Sequence, residues 1–305
     1  MITNLPTKLD FENVAKQCLT QAFNIVYEID KDLIYVEEVP DEDVWEYHLG
    51  DLSTSLILVY QAIESFLKSS ICEKTPLLLI DLKRTDWPSM PNSENKDFNE
   101  LFTIGGDSLI RTYCSVVDPA KVSSDLTDFI EEIRLTRNKI VHGVARDYLD
   151  PEYLVSSILK TYTFFLGADS WWLSMRELYI NNPLFGIFNN DFEEASLIDK
   201  LDYVEELIEA AEFRKHFSLG LKSRRYYCPW CQTSLQQEDR DLETKWALLI
   251  PQKTTGATEI KCINCQKTNI VIRQDCTEAD CKGNVLFDGD NGLQCLTCNA
   301  DQDDN

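Results

Sequence analysis

Apolar residues in the first 220 positions recur every three or four residues, which is the spacing of one face of an α-helix. Short apolar pieces such as 77–80 suggest strands, but they are too few for a sheet. The stripes predict helices over 11–29, 52–67, 107–117, 126–141, 151–165, 171–180 and 197–211. The pattern therefore predicts a mainly α fold, an antiparallel helical bundle.

After residue 225 the stripes give way to short apolar runs, at 246–250, 270–272 and 285–287, set among paired cysteines. A two-residue spacer, or a slightly longer one, lets both thiolates of a tight turn face one cation. Two such turns complete the four-sulfur shell that zinc prefers. The four pairs are Cys228 and Cys231, Cys262 and Cys265, Cys276 and Cys281, and Cys295 and Cys298. We therefore predict two zinc ions in a small β domain of zinc ribbons.

The simplest pairing of these turns is sequential, with the first two holding one ion and the last two the other; interleaved pairing stays open. A closed four-sulfur site leaves no position for water or substrate, so the zinc is expected to be structural. The other three of the 11 cysteines, Cys18, Cys72 and Cys114, fall on predicted helices and are expected to act as small hydrophobic residues.

Acidic residues dominate the chain, with 52 Asp and Glu against 29 Lys and Arg and a net charge of −23. Such a charge opposes broad binding of nucleic acid, which depends on neutralising phosphates. The ribbons carry 8 basic and 13 acidic residues. We therefore expect them to bind a protein partner or to be purely structural, ahead of a direct contact with RNA.

Two segments depart from the average charge. Residues 28–46 hold nine acidic residues and one lysine, and we expect a solvated acidic face there rather than an interaction surface. Residues 214–225 hold five basic residues and no acid, followed by Tyr226 and Tyr227. This basic hinge is either a phosphate contact or a helix C-terminus that favours cations, followed by a linker.

One polar group stands out on the predicted helix that ends before Gly143. Arg137 falls on the apolar stripe of that helix, where a guanidinium is costly to bury without a partner. Asn138 and His142 are four residues apart and share a neighbouring face. All three lie in the last turns, where the helix dipole favours a cation and raises the pKa of a histidine.

The segment from Arg137 to His142 resembles the R-x4-6-H motif of the HEPN superfamily, which comprises small helical domains of toxin–antitoxin and antiviral defence systems. Asn138 matches the polar residue that usually follows the arginine. Residues 62–68, with Glu64, are similar to an upstream A-x-E-x-x-L-K helix of that family. The resemblance covers about 51–167, a little over a third of the chain.

The resemblance implies a metal-independent endoribonuclease that acts as a homodimer on an RNA substrate. In that scheme His142 is the general acid or base, Arg137 steadies charge on the phosphoryl oxygens, and Asn138 orients the histidine or the phosphate. Glu64 is expected to pair with Arg137. Val144 stands where one toxin subgroup has a modified tyrosine, and the nearest tyrosine is Tyr148, so we do not expect that regulation.

The alternative is a non-catalytic HEPN-like binding or scaffold module with structural zinc ribbons, in which Arg137 is a buried partner of Glu64 and His142 merely ends a helix. In either case we divide the chain into an N-terminal helix with the acidic segment (1–50), the HEPN-like domain (51–168), a helical extension with the basic hinge (169–224) and the double zinc ribbon (225–305).

The sequence shows no membrane span and no signal peptide, so a cytoplasmic location is expected.

Overall fold

The computed structural model describes most of the chain and divides it into two compact units, Met1–Leu166 and Gly167–Asn305. The first unit is mainly helical, and the second adds short strands around the cysteines. The described residues are 1–33, 40–91, 93–142, 149–181, 183, 190–219, 223–237, 244–254, 256–289 and 292–302.

Six helices are described in the first unit, and five of them confirm the helices predicted from apolar stripes. They are α1 (Lys8–Leu33), α2 (Asp41–Tyr47), α3 (Leu49–Cys72), α4 (Gly106–Val116), α5 (Ser124–His142) and α6 (Pro151–Leu166). Strand β1 (Ile2–Thr3) pairs in parallel with β2 (Lys96–Asp97). The apolar piece at 77–80 is not a strand, because Pro76 opens a 3₁₀ turn there over Pro76–Leu79.

The long helices α1 and α3 lie side by side and run in opposite directions. Near one end the Lys8 ammonium is 3.0 Å from the Glu73 carboxylate, and further along the Ser55 hydroxyl donates to the Ala22 carbonyl oxygen at 3.0 Å. Residue numbers therefore increase along α1 as those of the contacting residues in α3 decrease, as in an antiparallel pair. The side chains along the seam, including Phe23, are fully buried, so apolar burial holds this pair together.

Helix α3 is the centre of the first unit, because α1, α4, α5 and α6 all contact it. Its Phe66 ring stacks on Phe165 with centroids 5.0 Å apart and meets Tyr162 edge-on. No helix in the described ranges combines the length and apolarity needed to cross a membrane. The central position of α3 places its polar residues against α5, the helix of the Arg137 motif.

The acidic segment at 28–46 is partly helical, since it includes the end of α1 and most of α2. Trp45 in α2 is buried, so one face of this segment belongs to the core of the first unit. Residues 34–39 lie outside the described residues. The role expected for the acidic side chains stays a prediction.

The second unit begins with α7 (Ser170–Ile180), α8 (Asn190–Leu207) and α9 (Ala210–His216), followed by α10 (Pro229–Gln237) in the cysteine-rich part. The single helix expected over 197–211 is two helices, because the chain turns at Ile208 and Glu209. Strands β3 (Arg225–Tyr226), β4 (Ala247–Ile250), β5 (Glu259–Cys262) and β6 (Thr268–Ile270) form an antiparallel sheet in that order. Strands β7 (Leu286–Gly289) and β8 (Gly292–Cys295) form a hairpin.

Polar side chains of the helices hold the four-stranded sheet within the second unit. The indole N–H of Trp246, at the start of β4, donates to Asp202 of α8 at 3.1 Å. The indole N–H of Trp172 in α7 donates to the Asn264 carbonyl oxygen at 3.2 Å. The Arg225 guanidinium of β3 bonds Glu205 of α8 through both terminal nitrogens. Helices and sheet therefore share one core.

The Asp202 carboxyl gives this core a pH dependence. Burial raises its pKa from 3.8 to about 7, against the opposing effect of the Trp246 hydrogen bond, and nearby Glu205 raises it further. The folded chain therefore keeps a proton that the unfolded chain releases near pH 4, and this stabilising contribution disappears as the pH rises through 7. We expect the free energy of unfolding of the second unit to fall by about 1 kcal/mol between about pH 6 and pH 8.

The measurement is denaturant unfolding followed by tryptophan fluorescence across this pH range, with zinc present. Asp202→Asn carries no titrating proton, so its unfolding free energy should change less over the same interval. An Asp202→Asn variant with the wild-type pH slope would show that another group causes the dependence.

Candidate functional site

The first candidate metal centre lies between the four-stranded sheet and the start of α10. Its four thiols are buried, and their sulfur atoms all lie within 4.8 Å of one another. They belong to Cys228, Cys231, Cys262 and Cys265. The sulfurs of Cys228 and Cys265 are 3.6 Å apart, and those of Cys231 and Cys262 are 3.7 Å apart. A zinc ion bonded to four sulfurs at about 2.3 Å needs an edge of about 3.8 Å. The cluster therefore fits one tetrahedral zinc.

The thiols of this centre perturb one another strongly. Hydrogen bonding with Cys228 raises the pKa of Cys231, whereas hydrogen bonding with the same thiol lowers the pKa of Cys265. Burial raises the pKa of Cys262. The Asn264 side-chain amide also donates to the Cys231 sulfur at 3.4 Å, a ligand contact that the cysteine spacing did not reveal. Four thiolates this close require a cation, and a bound cation displaces their protons.

The second candidate centre lies beside the β7–β8 hairpin and is more open. The sulfurs of Cys276 and Cys298 are 3.7 Å apart, and those of Cys281 and Cys295 are 3.9 Å apart. These distances fit the same tetrahedron. Cys295 is buried, whereas Cys298 is exposed.

Gly283 lies against this second centre. Its backbone N–H donates to the Cys281 sulfur at 3.3 Å. A Cβ atom at this position would lie 2.6 Å from the Thr297 side chain and 3.0 Å from the Cys295 sulfur. Only glycine therefore fits without displacing a ligand, a requirement that the sequence pattern alone did not indicate.

The structure joins neighbouring cysteine pairs along the chain, which is the sequential arrangement and not the interleaved one. The three remaining cysteines differ among themselves. Cys72 is buried, Cys18 is half-buried, and burial raises the pKa of both. Cys114 on α4 is exposed, so it does not act as the small core residue expected from its helix.

The motif residues lie together at the C-terminal end of α5. Arg137 and Asn138 are half-buried, and the helix ends at His142. The side chain of His142 lies outside the described part of the chain, as do Val144 and Tyr148. The predicted arrangement of all three side chains in one site therefore stays a prediction.

The Arg137 guanidinium contacts neutral groups. One terminal nitrogen donates to the Asn138 side-chain oxygen at 3.0 Å, and the group lies 5.6 Å from the centre of the Tyr60 ring on α3. Its Nε atom is buried and makes no hydrogen bond in the described structure. Within the described ranges no carboxylate forms an ion pair with it, so the expected pairing with Glu64 is wrong. Glu64 instead accepts a hydrogen bond from the Gly106 backbone N–H at 3.4 Å.

Arg134, one turn earlier on α5, provides a direct contrast. Its Nε and one terminal nitrogen each donate to Glu131 at 2.8 Å, and its other terminal nitrogen is 3.6 Å from Asp107. The hydrogen bond with Glu131 raises the pKa of Arg134. These two cations of α5 therefore differ, because carboxylates neutralise Arg134 whereas none in the described ranges pairs with Arg137.

Tyr60 was not identified from the sequence, because an aromatic residue on α3 matches the apolar pattern of that helix. Burial raises the pKa of Tyr60 to about 12, and the Glu64 carboxylate adds to the shift. The phenol therefore stays neutral at physiological pH. Its ring attracts the Arg137 guanidinium without cancelling the charge.

The described cations of the basic hinge at 214–225 have different surroundings. Arg225 is paired with Glu205, and Lys222 lies outside the described residues. Arg214 and Lys215 belong to the last turn of α9, where the helix dipole favours cations. Arg224 lies 5.9 Å from the centre of the Tyr226 ring.

We expect about two zinc ions per chain, released by chelator in two phases, with the second centre first because Cys298 is exposed. Cys298→Ser should remove the fast phase. Cys262→Ser should remove the slow phase and loosen the four-stranded sheet, because its site is buried. Metal analysis and a colorimetric chelator provide the measurement.

Cys114→Ser, which removes an exposed thiol outside both clusters, is the matched control and should leave both phases unchanged. One zinc per chain, or the loss of the same phase in both ligand variants, would contradict the assignment of two separate centres.

Comparison of the chain with known protein families, with curated proteins and with solved structures gave no match. A function for this chain is therefore inferred from the chemistry of the residues described above.

Proposed function

We propose that the chain is a metal-independent endoribonuclease of the HEPN type, built on an antiparallel helical bundle. The observation that supports this function best is the set of contacts made by the Arg137 side chain. This half-buried arginine has no carboxylate partner in the described structure and lies beside an amide on the helix that ends at His142. An uncompensated guanidinium is costly unless it meets an anion, and RNA phosphate is such an anion.

In the proposed reaction the ribose 2′-oxygen attacks the adjacent phosphorus and the bond to the 5′-oxygen breaks. A base accepts the proton of the 2′-hydroxyl, and an acid supplies a proton to the departing 5′-oxygen. His142 fills these roles, Arg137 stabilises the charge on the non-bridging oxygens, and Asn138 holds the guanidinium in place. The products are a 2′,3′-cyclic phosphate and a 5′-hydroxyl, and no metal takes part.

We further propose that two copies associate through α5, so that one histidine acts as base and the other as acid. Exposed apolar side chains on this helix support the proposal, since Leu135 is 49% exposed and Val141 is 42% exposed. Leu135 is three residues before Asn138 and seven before His142, so the three share one surface of the helix. A second copy would cover this surface and bring two motifs together.

The charge of −23 restricts such an enzyme to particular RNAs, because the surface as a whole repels phosphate. A selective enzyme of this kind suits a toxin or an anti-phage defence system in the cytoplasm, where thiols stay reduced for zinc. The zinc ribbons would then contact a protein partner or stabilise the second unit.

The first test compares the two arginines of α5. We expect Arg137→Ala to slow cleavage of a labelled RNA by about 10²–10³-fold, the usual effect of losing a charge-stabilising donor. His142→Ala should abolish cleavage, and a chelator should not stop the wild-type reaction. Arg134→Ala is the matched control, with near wild-type activity expected because its charge is already neutralised.

Circular dichroism establishes that each variant keeps its helices. Equal losses for Arg134→Ala and Arg137→Ala would count against the assigned role of Arg137. Wild-type protein that leaves varied RNAs intact would instead favour the non-catalytic scaffold.

The second test concerns the dimer. Leu135→Asp places a charge on the proposed interface, so we expect a halved mass in light scattering and loss of cleavage. Leu9→Asp on α1, where the leucine is 58% exposed, is the matched control and should change neither. A wild-type chain that is monomeric while cleaving RNA would exclude the proposed division of labour between two histidines.

A further inference from the structure

A concave pocket of about 280 Å³ lies in the second unit, at the end of β4 where the chain turns toward β5. The residues that line it are cationic, small polar and apolar. The lining residues that matter are Arg224, Tyr226, Leu248, Gln252, Lys253 and Arg273. They come from three separate stretches of the chain, which the sheet brings together.

Three cations line this pocket, and the described residues of its lining include no acidic residue. Among the described residues, none of Arg224, Lys253 and Arg273 forms an ion pair. The adjacent Arg225 differs, because Glu205 binds its guanidinium through both oxygens. In a chain of net charge −23, three cations that have no ion-pair partner in the described part of the chain form a local positive site around one concavity.

Arg273 is fixed in position by neutral acceptors. One terminal nitrogen donates to the Ala257 carbonyl oxygen at 3.2 Å and the other to the Asn284 side-chain oxygen at 2.9 Å. Its Nε atom is buried and has no hydrogen-bond partner in the described structure. These bonds restrict the guanidinium without neutralising it, which preorganises a positive charge for an anionic ligand.

The remaining wall suits the rest of a small phosphate-bearing molecule. The Ser223 hydroxyl donates to the Gln252 side-chain oxygen at 2.6 Å, which holds two polar groups at the rim. Leu248 and the buried Tyr226 provide an apolar floor on which a sugar or base can lie. The volume of 280 Å³ is near the lower end for ligand pockets, so a compact ligand fits better than a large one.

We propose that this pocket binds the phosphate group of a nucleotide, either free or as one unit of single-stranded RNA. Arg224, Lys253 and Arg273 hold the phosphate oxygens, and the floor contacts the sugar or base. The pocket belongs to the second unit and the Arg137 motif to the first, so the proposal does not depend on ribonuclease activity.

The experiment measures binding of AMP, adenosine and a fluorescein-labelled ten-nucleotide oligouridylate to full-length His142→Ala protein, which cannot consume the RNA by the proposed reaction. AMP should bind and adenosine should not, because the phosphate supplies the interaction. Arg224→Glu and Lys253→Glu should each weaken AMP binding by about tenfold or more. Lys215→Glu makes the same charge change at an exposed position of α9 outside the pocket and should leave AMP binding within twofold.

The RNA probe distinguishes the two sources of phosphate. Weaker oligouridylate binding in the pocket variants, with a shallower salt dependence, indicates that the pocket holds a strand; AMP binding alone indicates a free nucleotide. Zinc content and thermal melting establish that the variants are folded. The proposal is overturned if neither AMP nor the RNA binds, if adenosine binds as well as AMP, or if Lys215→Glu loses as much affinity as the pocket variants.

Discussion

The second unit contains two clusters of four thiols, and each cluster fits a tetrahedron with edges of about 3.8 Å. The fold of this unit depends on both clusters. At that separation thiolates repel one another, so the arrangement is stable only around a cation, and metal binding and folding become one process. The first cluster also fixes the positions of β5, α10 and the turn before β6. Through Trp246 and Asn264 its surroundings reach the helices α7 and α8. The zinc sites thus organise more of the chain than the ribbons alone.

A second constraint is the cost of removing charge from water, and the chain meets it in different ways. Arg134 and Arg225 are neutralised by nearby carboxylates. Arg137 and Arg273 donate hydrogen bonds to neutral oxygens, and no carboxylate of the described chain forms an ion pair with either. A buried cation without a partner is costly, so an arginine that lacks a carboxylate partner is a candidate to receive an anionic ligand. This difference separates Arg137 and Arg273 from Arg134 and Arg225.

The sequence predicted the parts of the fold that depend on local pattern. Apolar stripes located most helices, and cysteine spacing identified both metal clusters and their order, because periodicity and short spacers act within a few residues. The partners of individual side chains could not be predicted in the same way. Glu64 was expected to bind Arg137 but accepts from Gly106, and Arg273 joins Arg224 only because the sheet brings them to one pocket. Such contacts are fixed by tertiary packing, which a single sequence does not display.

The hydrogen bonds from Trp172 and Trp246 determine where the cysteine-rich part can be separated from the rest of the chain. A ribbon separated at residue 225 would lose α7 and α8, and would carry into water an indole that is almost completely buried in the intact chain. The smallest compact unit that keeps these hydrogen bonds is therefore the whole of Gly167–Asn305. Anyone transplanting the ribbons onto another protein must take the three preceding helices with them.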